Sequence, residues 1–207
     1  MRFAREMGEF LTFVHLFDQN LRQENENAVF PRKQRKVHSM YFSLIDKIDE
    51  LKPGKLVVAT KSLAMSEEYL RDHFPKFPVM PGVFMIESMT QASAWLVRVT
   101  ENFAHSIVVL KETRRVKFGK FLQPGQTMVV TSEIVSDSEN ETVLDAQGSI
   151  EGKVRIRATL TLAKYNLATL GDSQGVFDPK IVKTLKEELS LLWSGYNGDE
   201  SPVDSAL

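Results

Sequence analysis

The stretch from His73 to Val97 constrains the fold most, because it is almost free of charge in a chain with 26% charged residues. Its only ionisable side chains are those of His73, Lys76 and Glu87. So little charge indicates that most of the stretch is buried. A buried carboxylate or imidazole costs on the order of several kcal/mol unless it is paired or used. His73 and Glu87 therefore mark the candidate functional site.

The composition excludes several classes of function. A net charge of -1 over 207 residues gives no general attraction to nucleic acid or to an anionic membrane. The absence of cysteine excludes disulfides, thiolate zinc sites and cysteine nucleophiles, and His15, His38 and His105 show no metal-ligand spacing. Glu6 and Glu9 interrupt the apolar run that a signal peptide needs, and no apolar stretch reaches about 18 residues. We expect a soluble, cytoplasmic protein without metal or cofactor.

Six segments carry the signals of β-strands, and one carries those of a buried helix. The strand segments end at turn residues, and the last of them alternates apolar with polar positions, which is typical of one buried and one wet face. They span residues 41–51, 55–64, 106–118, 127–135, 142–150 and 154–163. Residues 81–100 contain no proline after Pro81, no glycine after Gly82, and apolar or small residues on nearly every side. This pattern predicts an α+β fold, with a sheet curled around one central helix that has Pro81 as its first residue.

The two ends of the chain differ from this central part. Apolar residues recur every three or four positions in residues 1–27, which predicts an amphipathic helix. The basic run at 31–36 is interpreted as a solvated linker, with phosphate binding as the less common outcome. Asp178, as an N-cap, and Pro179 predict the start of a second amphipathic helix. We therefore predict an N-terminal extension (1–36), a central domain (37–166), and a C-terminal loop, helix and tail (167–207).

Three segments of the central domain resemble the motifs of a known enzyme family. In chain order they are His38-Ser-Met-Tyr-Phe-Ser-Leu-Ile-Asp, His73-Phe-Pro-x-x-Pro-Val-Met-Pro-Gly-Val-x-x-Ile-Glu-x-Met-x-Gln and Val116-Lys-Phe-Gly-Lys-Phe-Leu-Gln-Pro-Gly. They resemble the hotdog-fold beta-hydroxyacyl-acyl carrier protein dehydratases of the FabZ type, over roughly residues 37–166. The resemblance implies a hotdog fold, an antiparallel sheet of about six strands around one long helix. It also implies a hydro-lyase that converts a (3R)-hydroxyacyl thioester on acyl carrier protein into the trans-2-enoyl thioester in fatty-acid biosynthesis.

The residue types present fit this chemistry. Elimination of water needs a base for the proton beside the thioester carbonyl and an acid for the departing hydroxyl. The resemblance implies His73, with an ordinary pKa of about 6.5, and Glu87, whose pKa burial is expected to raise, in these roles. A reversed assignment, or one shared through a water molecule, stays open. Backbone N–H groups of Gly82 and Val83, at the helix start, are expected to bind the thioester oxygen.

Gln91 and a basic cluster complete the set of candidate site residues. Gln91 follows Glu87 by one turn, and it is expected either to position Glu87 or to hydrogen-bond a neighbouring strand. The basic cluster lies in and after the third predicted strand. We predict that an acidic carrier protein docks on Arg114, Arg115, Lys117 and Lys120, with a solvated strand face as an equally good interpretation.

The resemblance also implies that each active site is shared between two chains. In that family two hotdog domains pair through their sheets, and each site takes its histidine from one subunit and its acid from the other. We therefore expect an obligate homodimer, and a trimer of such dimers stays open as an alternative.

Some residues depart from the pattern of this enzyme family. Lys76 stands where the family usually has glycine, and Phe121 stands where it usually has proline, so substrate access or assembly is expected to differ. Glu87 occupies a position where the double-bond-isomerising sister enzymes typically have aspartate, which predicts dehydration without isomerisation.

The hotdog fold also hosts acyl thioesterases and non-catalytic acyl-binding proteins. A thioesterase, however, needs no histidine at position 73.

Overall fold

The structure is a computed structural model that describes residues 42–72 and 76–196. The strands are β1 (Lys47–Lys52), β2 (Leu56–Ser62), β3 (Ile107–Phe118), β4 (Thr127–Asp137), β5 (Glu141–Ile150) and β6 (Lys153–Tyr165). The helices are α1 (Tyr69–Asp72), α2 (Gly82–Thr100), α3 (Asp172–Gly175) and α4 (Asp178–Leu192), with a 3-10 helix at Leu167–Leu170. The predicted N-terminal helix (1–27), the basic run (31–36), His15 and His38 lie outside the described residues.

The six strands form one antiparallel sheet in the order β1-β2-β4-β5-β6-β3. Helix α2 contacts every one of these strands, so the sheet curls around it. Alternate residues of β4 and β5, such as Met128, Val130 and Leu144, are fully buried on the face toward the core. The predicted α+β class, with one long central helix, is confirmed. None of the described helices is both long and apolar enough to cross a lipid bilayer.

Helix α2 can be buried because its buried hydroxyl groups bond to the backbone of the helix itself. Twelve of its 19 residues are buried. The hydroxyls of Ser88, Thr90 and Ser93 donate to carbonyl oxygens four residues earlier, at 2.9, 3.1 and 2.7 Å. The Ser93 hydroxyl also lies 2.7 Å from that of Ser132 on β4. These bonds remove the penalty that an unpaired hydroxyl pays away from water.

Most predicted elements are present, and apart from shifts of one or two residues at other strand ends, three predicted starts differ. The first strand begins at Lys47 and not at residue 41. Pro81 precedes α2 as its N-cap, and the helix itself begins at Gly82. The prediction that Asp178 caps α4 is wrong, because Phe177 is the N-cap and Asp178 is the first helical residue.

The carboxylate of Asp178 serves a different segment. It accepts hydrogen bonds from the backbone N–H groups of Leu167, at 2.9 Å, and Ala168, at 3.0 Å, and one from the hydroxyl of Ser106. These bonds hold the 3-10 helix and the start of β3 together. A residue with the sequence pattern of a helix cap is therefore used for a tertiary contact.

The C-terminal helix α4 contacts β1 and joins the core near the C-terminal part of α2. Leu189 of α4 is fully buried. The guanidinium of Arg98, on α2, lies 5.1 Å from the centre of the Trp95 ring and donates to the carbonyl oxygen of Val108 at 3.4 Å. Burial lowers the pKa of Arg98 to about 10, although the nearby Glu188 carboxylate on α4 opposes this effect. This helix thus extends the core around the end of α2 that lies away from Glu87.

Candidate active site

The first turn of α2 presents backbone N–H groups that the helix itself does not use. The N–H groups of Phe84 and Met85 both donate to the carbonyl oxygen of Pro81, at 2.9 and 3.2 Å. Those of Gly82 and Val83 come earlier in the turn, where an α-helix offers no intrahelical acceptor. Pro81 supplies no side-chain cap. The positive end of the helix dipole lies here as well, so this turn suits a partial negative charge.

The loop that follows β3 holds the start of α2 in place. The backbone N–H of Met80 donates to the carbonyl oxygen of Leu122 at 2.8 Å, and both residues are fully buried. The N–H of Gly119 donates to the carbonyl oxygen of Arg155 on β6 at 2.6 Å. The residues before and after this short loop are therefore tied to the sheet and to the approach of α2.

Glu87 lies about one and a half turns beyond Gly82, on the same helix, and is half-buried. Its Oε1 accepts a hydrogen bond from Nε2 of Gln91 at 3.1 Å. The other end of the Gln91 amide, Oε1, accepts from the backbone N–H of the fully buried Leu44 at 2.8 Å. Because that N–H can only donate, the orientation of the amide is set, and its NH₂ group faces the carboxyl of Glu87.

Burial raises the pKa of Glu87 above its ordinary value, and the hydrogen bond from Gln91 opposes that rise in part. No described cation lies within ion-pairing distance of this carboxyl. The neutral acid therefore persists to a higher pH than on a surface glutamate. Since folding raises this pKa, the contribution of Glu87 to stability is full at low pH. It is lost as the pH rises from the unfolded pKa through the folded one.

His73, the candidate base, lies outside the described residues. The described helix α1 ends immediately before it, and the ring of Tyr69 in α1 packs edge-on against Phe84 of α2, with ring centres 4.8 Å apart. The chain that leads to His73 is therefore joined to the first turns of the helix that carries Glu87.

A buried lysine near α1 was missed in the sequence reasoning. Lys61 of β2 has a side chain that is only 5% exposed, and its Nζ lies 2.8 Å from Oε1 of Glu67 and 3.3 Å from Oδ1 of Asp46. Its signal was an inward position in an alternating strand, occupied by a charge. This ion-pair cluster ties the segment before α1 to the sheet.

Of the four predicted docking residues, Arg114 is neutralised by a neighbour, and so is Lys111, which lies earlier in β3. Lys111 pairs with Glu141 of β5. Nε of Arg114 lies 2.9 Å from Oε1 of Glu112, with both side chains largely exposed. Their positive charge is therefore less available to a partner.

The remaining basic residues are exposed and lie around an irregular part of β3. The pairing of β3 with β6 shifts between Arg114 and Lys117, and Arg115 has a φ of 52° in this bulge. Arg115, Lys117 and Lys120 form no ion pair with a carboxylate of the described chain. Arg115 and Lys117 line a surface cavity of about 600 Å³ together with Arg157 of β6, which sequence reasoning missed. Simple strand alternation did not anticipate the bulge.

Comparison with known proteins identifies the family of this chain. A family model described as a FabA-like domain matches residues 37–159. The chain belongs to the FabA-like family. Its hotdog fold is also that of a solved structure titled as the dehydratase heterocomplex ApeI:P from Xenorhabdus doucetiae, with a TM-score of 0.51 and 19% identity over 59% of this chain and 83% of that one.

Two relatives within this family carry the same name. The 3-hydroxyacyl-[acyl-carrier-protein] dehydratase FabZ of Ruminiclostridium cellulolyticum is 33% identical over 126 residues, which are 61% of this chain and 89% of that protein. The FabZ of Wolbachia pipientis wMel is 39% identical over 99 residues, covering 48% of this chain and 69% of that protein. The FabA-like domain is thus similar to FabZ along most of the length of these relatives.

Replacing Gln91 by leucine is expected to raise the pKa of Glu87 further. The carboxylate would lose the donor that partly offsets its desolvation. Titration of the Glu87 carboxyl carbon by ¹³C NMR, in the wild type and in Gln91→Leu, measures the change. Gln147→Leu, on the outward face of β5, is the matched control and should leave that pKa unaltered. An unchanged or lower pKa in Gln91→Leu would contradict the role given to this amide.

Proposed function

We propose that this chain is a hydro-lyase that removes water from a (3R)-3-hydroxyacyl thioester of acyl carrier protein and forms the trans-2-enoyl thioester for fatty-acid biosynthesis. The observation that carries the proposal is the half-buried Glu87 carboxyl, whose pKa is raised and whose position is set by Gln91. It lies beyond a helix start whose first N–H groups have no acceptor within the helix, in a chain of the FabA-like family. The relatives named as 3-hydroxyacyl-[acyl-carrier-protein] dehydratases support the substrate class.

In the proposed mechanism, His73 takes the proton from carbon 2, next to the thioester carbonyl. The electron pair released moves toward the carbonyl, and the N–H groups of Gly82 and Val83 stabilise the charge on its oxygen. Loss of one such donor typically costs about 2.7–4 kcal/mol of transition-state stabilisation. Glu87 then gives its proton to the hydroxyl on carbon 3, and water leaves as the double bond forms. Proton exchange with solvent returns His73 and Glu87 to their starting states.

Glu87 is assigned as the acid because burial favours its neutral form, which can donate a proton. Gln91 is assigned as the residue that keeps this carboxyl in place. The opposite assignment would require Glu87 to ionise before reaction, which its burial disfavours.

The test of this function is the product formed from a 3-hydroxyacyl thioester. A dehydratase yields the enoyl thioester, a thioesterase yields a free thiol, and a binding protein yields neither. His73→Ala and Glu87→Gln are each expected to lower kcat by about 10²- to 10⁴-fold, the usual contribution of a general acid or base. His105→Ala is the control, because His105 pairs with Glu101 at the opposite end of α2. Release of free thiol alone, or full dehydration by His73→Ala, would refute the proposal.

We further propose that the active sites are shared within a homodimer that forms through β3. This strand has 12 residues and lies at one edge of the sheet, where its outer side has no partner among the described strands. A long edge strand is a ready template for pairing with another chain.

Mixing two inactive variants tests the shared site. If the histidine and the acid of one site come from different chains, a heterodimer of His73→Ala and Glu87→Gln contains one intact site. Random exchange should then restore about a quarter of wild-type activity, since about half of the dimers are mixed and each has one good site of two. Native mass spectrometry checks that exchange took place and gives the number of chains. Exchanged dimers without activity would show that each site belongs to one chain.

The carrier protein is proposed to dock on Arg114, Arg115, Lys117 and Lys120. Arg114 is offset by Glu112, so the other three, exposed and without a described carboxylate partner, are expected to contribute most. Attraction between these cations and an acidic carrier would speed their encounter at low salt.

Replacing both Arg115 and Lys117 by glutamate tests carrier docking separately from the chemical step. It is expected to lower kcat/KM for the carrier-bound substrate by ~10-fold or more at low salt. Activity on the same acyl group carried by N-acetylcysteamine should stay unchanged, because this small thioester needs no docking surface. Reversal of the exposed Lys55 and Lys180 is the matched control. An equal loss of kcat/KM on both substrates, or no loss on the carrier-bound one, would contradict the proposed docking surface.

A further inference from the structure

Two phenylalanine rings lie against the first residue of α2. A Cβ added to Gly82 would be 3.0 Å from Cε1 of Phe118 and 3.3 Å from Cε1 of Phe121. The centres of the two rings are 6.1 Å apart, and their planes are inclined by 33°. A Cβ at position 82 would require the rings to shift by a few tenths of an ångström. The rings therefore bound the space beside the N–H groups at the start of α2.

The two rings are held differently. Phe118 is the last residue of β3, and its backbone is paired with Ile156 of β6. Phe121 lies outside the strands, between Gly119 and Leu122, whose backbones are both hydrogen-bonded to other segments. Its side chain is 41% exposed. Phe121 can therefore turn toward solvent by a change of rotamer, on the fast timescale of exposed side chains, without movement of the loop.

We propose that Phe121 sets the size limit for substituents on carbon 2 of the acyl group. This inference rests on the proposed function, in which the thioester oxygen binds at the N–H groups of Gly82 and Val83. Carbon 2 is bonded to that carbonyl carbon, so a branch on it points into the space that the rings of Phe118 and Phe121 border.

An unbranched acyl group leaves the two rings in place. A methyl branch on carbon 2 requires Phe121 to turn outward, which forfeits its packing against Phe118. Phe121 is only slightly more exposed than Phe118, at 41% against 36%, but its backbone is not paired in a strand, and it is therefore the ring that yields. The protein therefore discriminates against 2-methyl-3-hydroxyacyl thioesters by means of this one side chain.

The test compares kcat/KM for two carrier-free substrates, the N-acetylcysteamine thioesters of 3-hydroxybutyrate and of 2-methyl-3-hydroxybutyrate, the latter in both configurations at carbon 2. The wild type should prefer the unbranched substrate. Phe121→Ala should raise the branched-to-unbranched ratio by ~10-fold or more, in line with the worth of a methyl group in a tight pocket. Phe121→Tyr keeps the ring and should keep the ratio. Phe177→Ala removes a ring of similar exposure, 53%, elsewhere on the chain and is the control.

Each outcome decides the inference. A Phe121→Ala protein that dehydrates the unbranched substrate with an unchanged ratio overturns it, as does a parallel loss on both substrates. If Phe121→Ala does not fold, Phe121→Leu takes its place and should raise the ratio to a smaller extent, while an unchanged ratio overturns the inference. A folded wild type that dehydrates neither substrate overturns the proposed function itself. That result differs from a working dehydratase whose selectivity ignores position 121.

Discussion

Burial of α2 within the curled sheet is the constraint on which the rest of the structure depends. The helix contacts every strand, and its serine and threonine hydroxyls return to the backbone of the helix itself. A carboxyl on such a helix is desolvated, which raises the pKa of Glu87. The same packing brings Leu44 beside Gln91, so that the amide of Gln91 is oriented toward Glu87. The burial of α2 thus both stabilises the fold and raises the pKa of Glu87.

Both ends of α2 are held by contacts with other segments, and these contacts differ in kind. At the C-terminal end, Glu101 pairs with Lys164 of β6, which is 2% exposed and also lies 2.7 Å from Asp137 of β4. At the N-terminal end, the backbone bond between Met80 and Leu122 fixes the approach to the helix. A helix held at both ends keeps its side chains at constant positions, which suits a group that must meet a reacting atom. The first N–H groups at the N-terminal end have no acceptor within the helix.

The local sequence pattern predicted the elements more closely than their relations. Pro81, followed by a stretch poor in charge, glycine and proline, placed α2 within one residue of its observed start, because a buried helix disfavours all three in its interior. Alternation and turn residues located the strands, although β1 begins later than predicted. The order that places β3 beside β6 could not be read from the chain, since no local pattern encodes which strands pair. The bulge at Arg115 and the use of Asp178 by another segment escaped detection for the same reason.

The sequence by itself determined which chemical groups are present and predicted that the stretch around Glu87 is buried. His73, Glu87 and Gln91 stand at their positions in a charge-poor run, and one family resemblance gives them roles. Only the tertiary structure decided what surrounds them. The partner of Gln91 is a backbone group 47 residues away, and the rings beside Gly82 come from the end of β3 and the loop that follows. Contacts between residues so distant in sequence are selected by packing and by the need to pair buried polar groups, neither of which a single stretch of sequence contains.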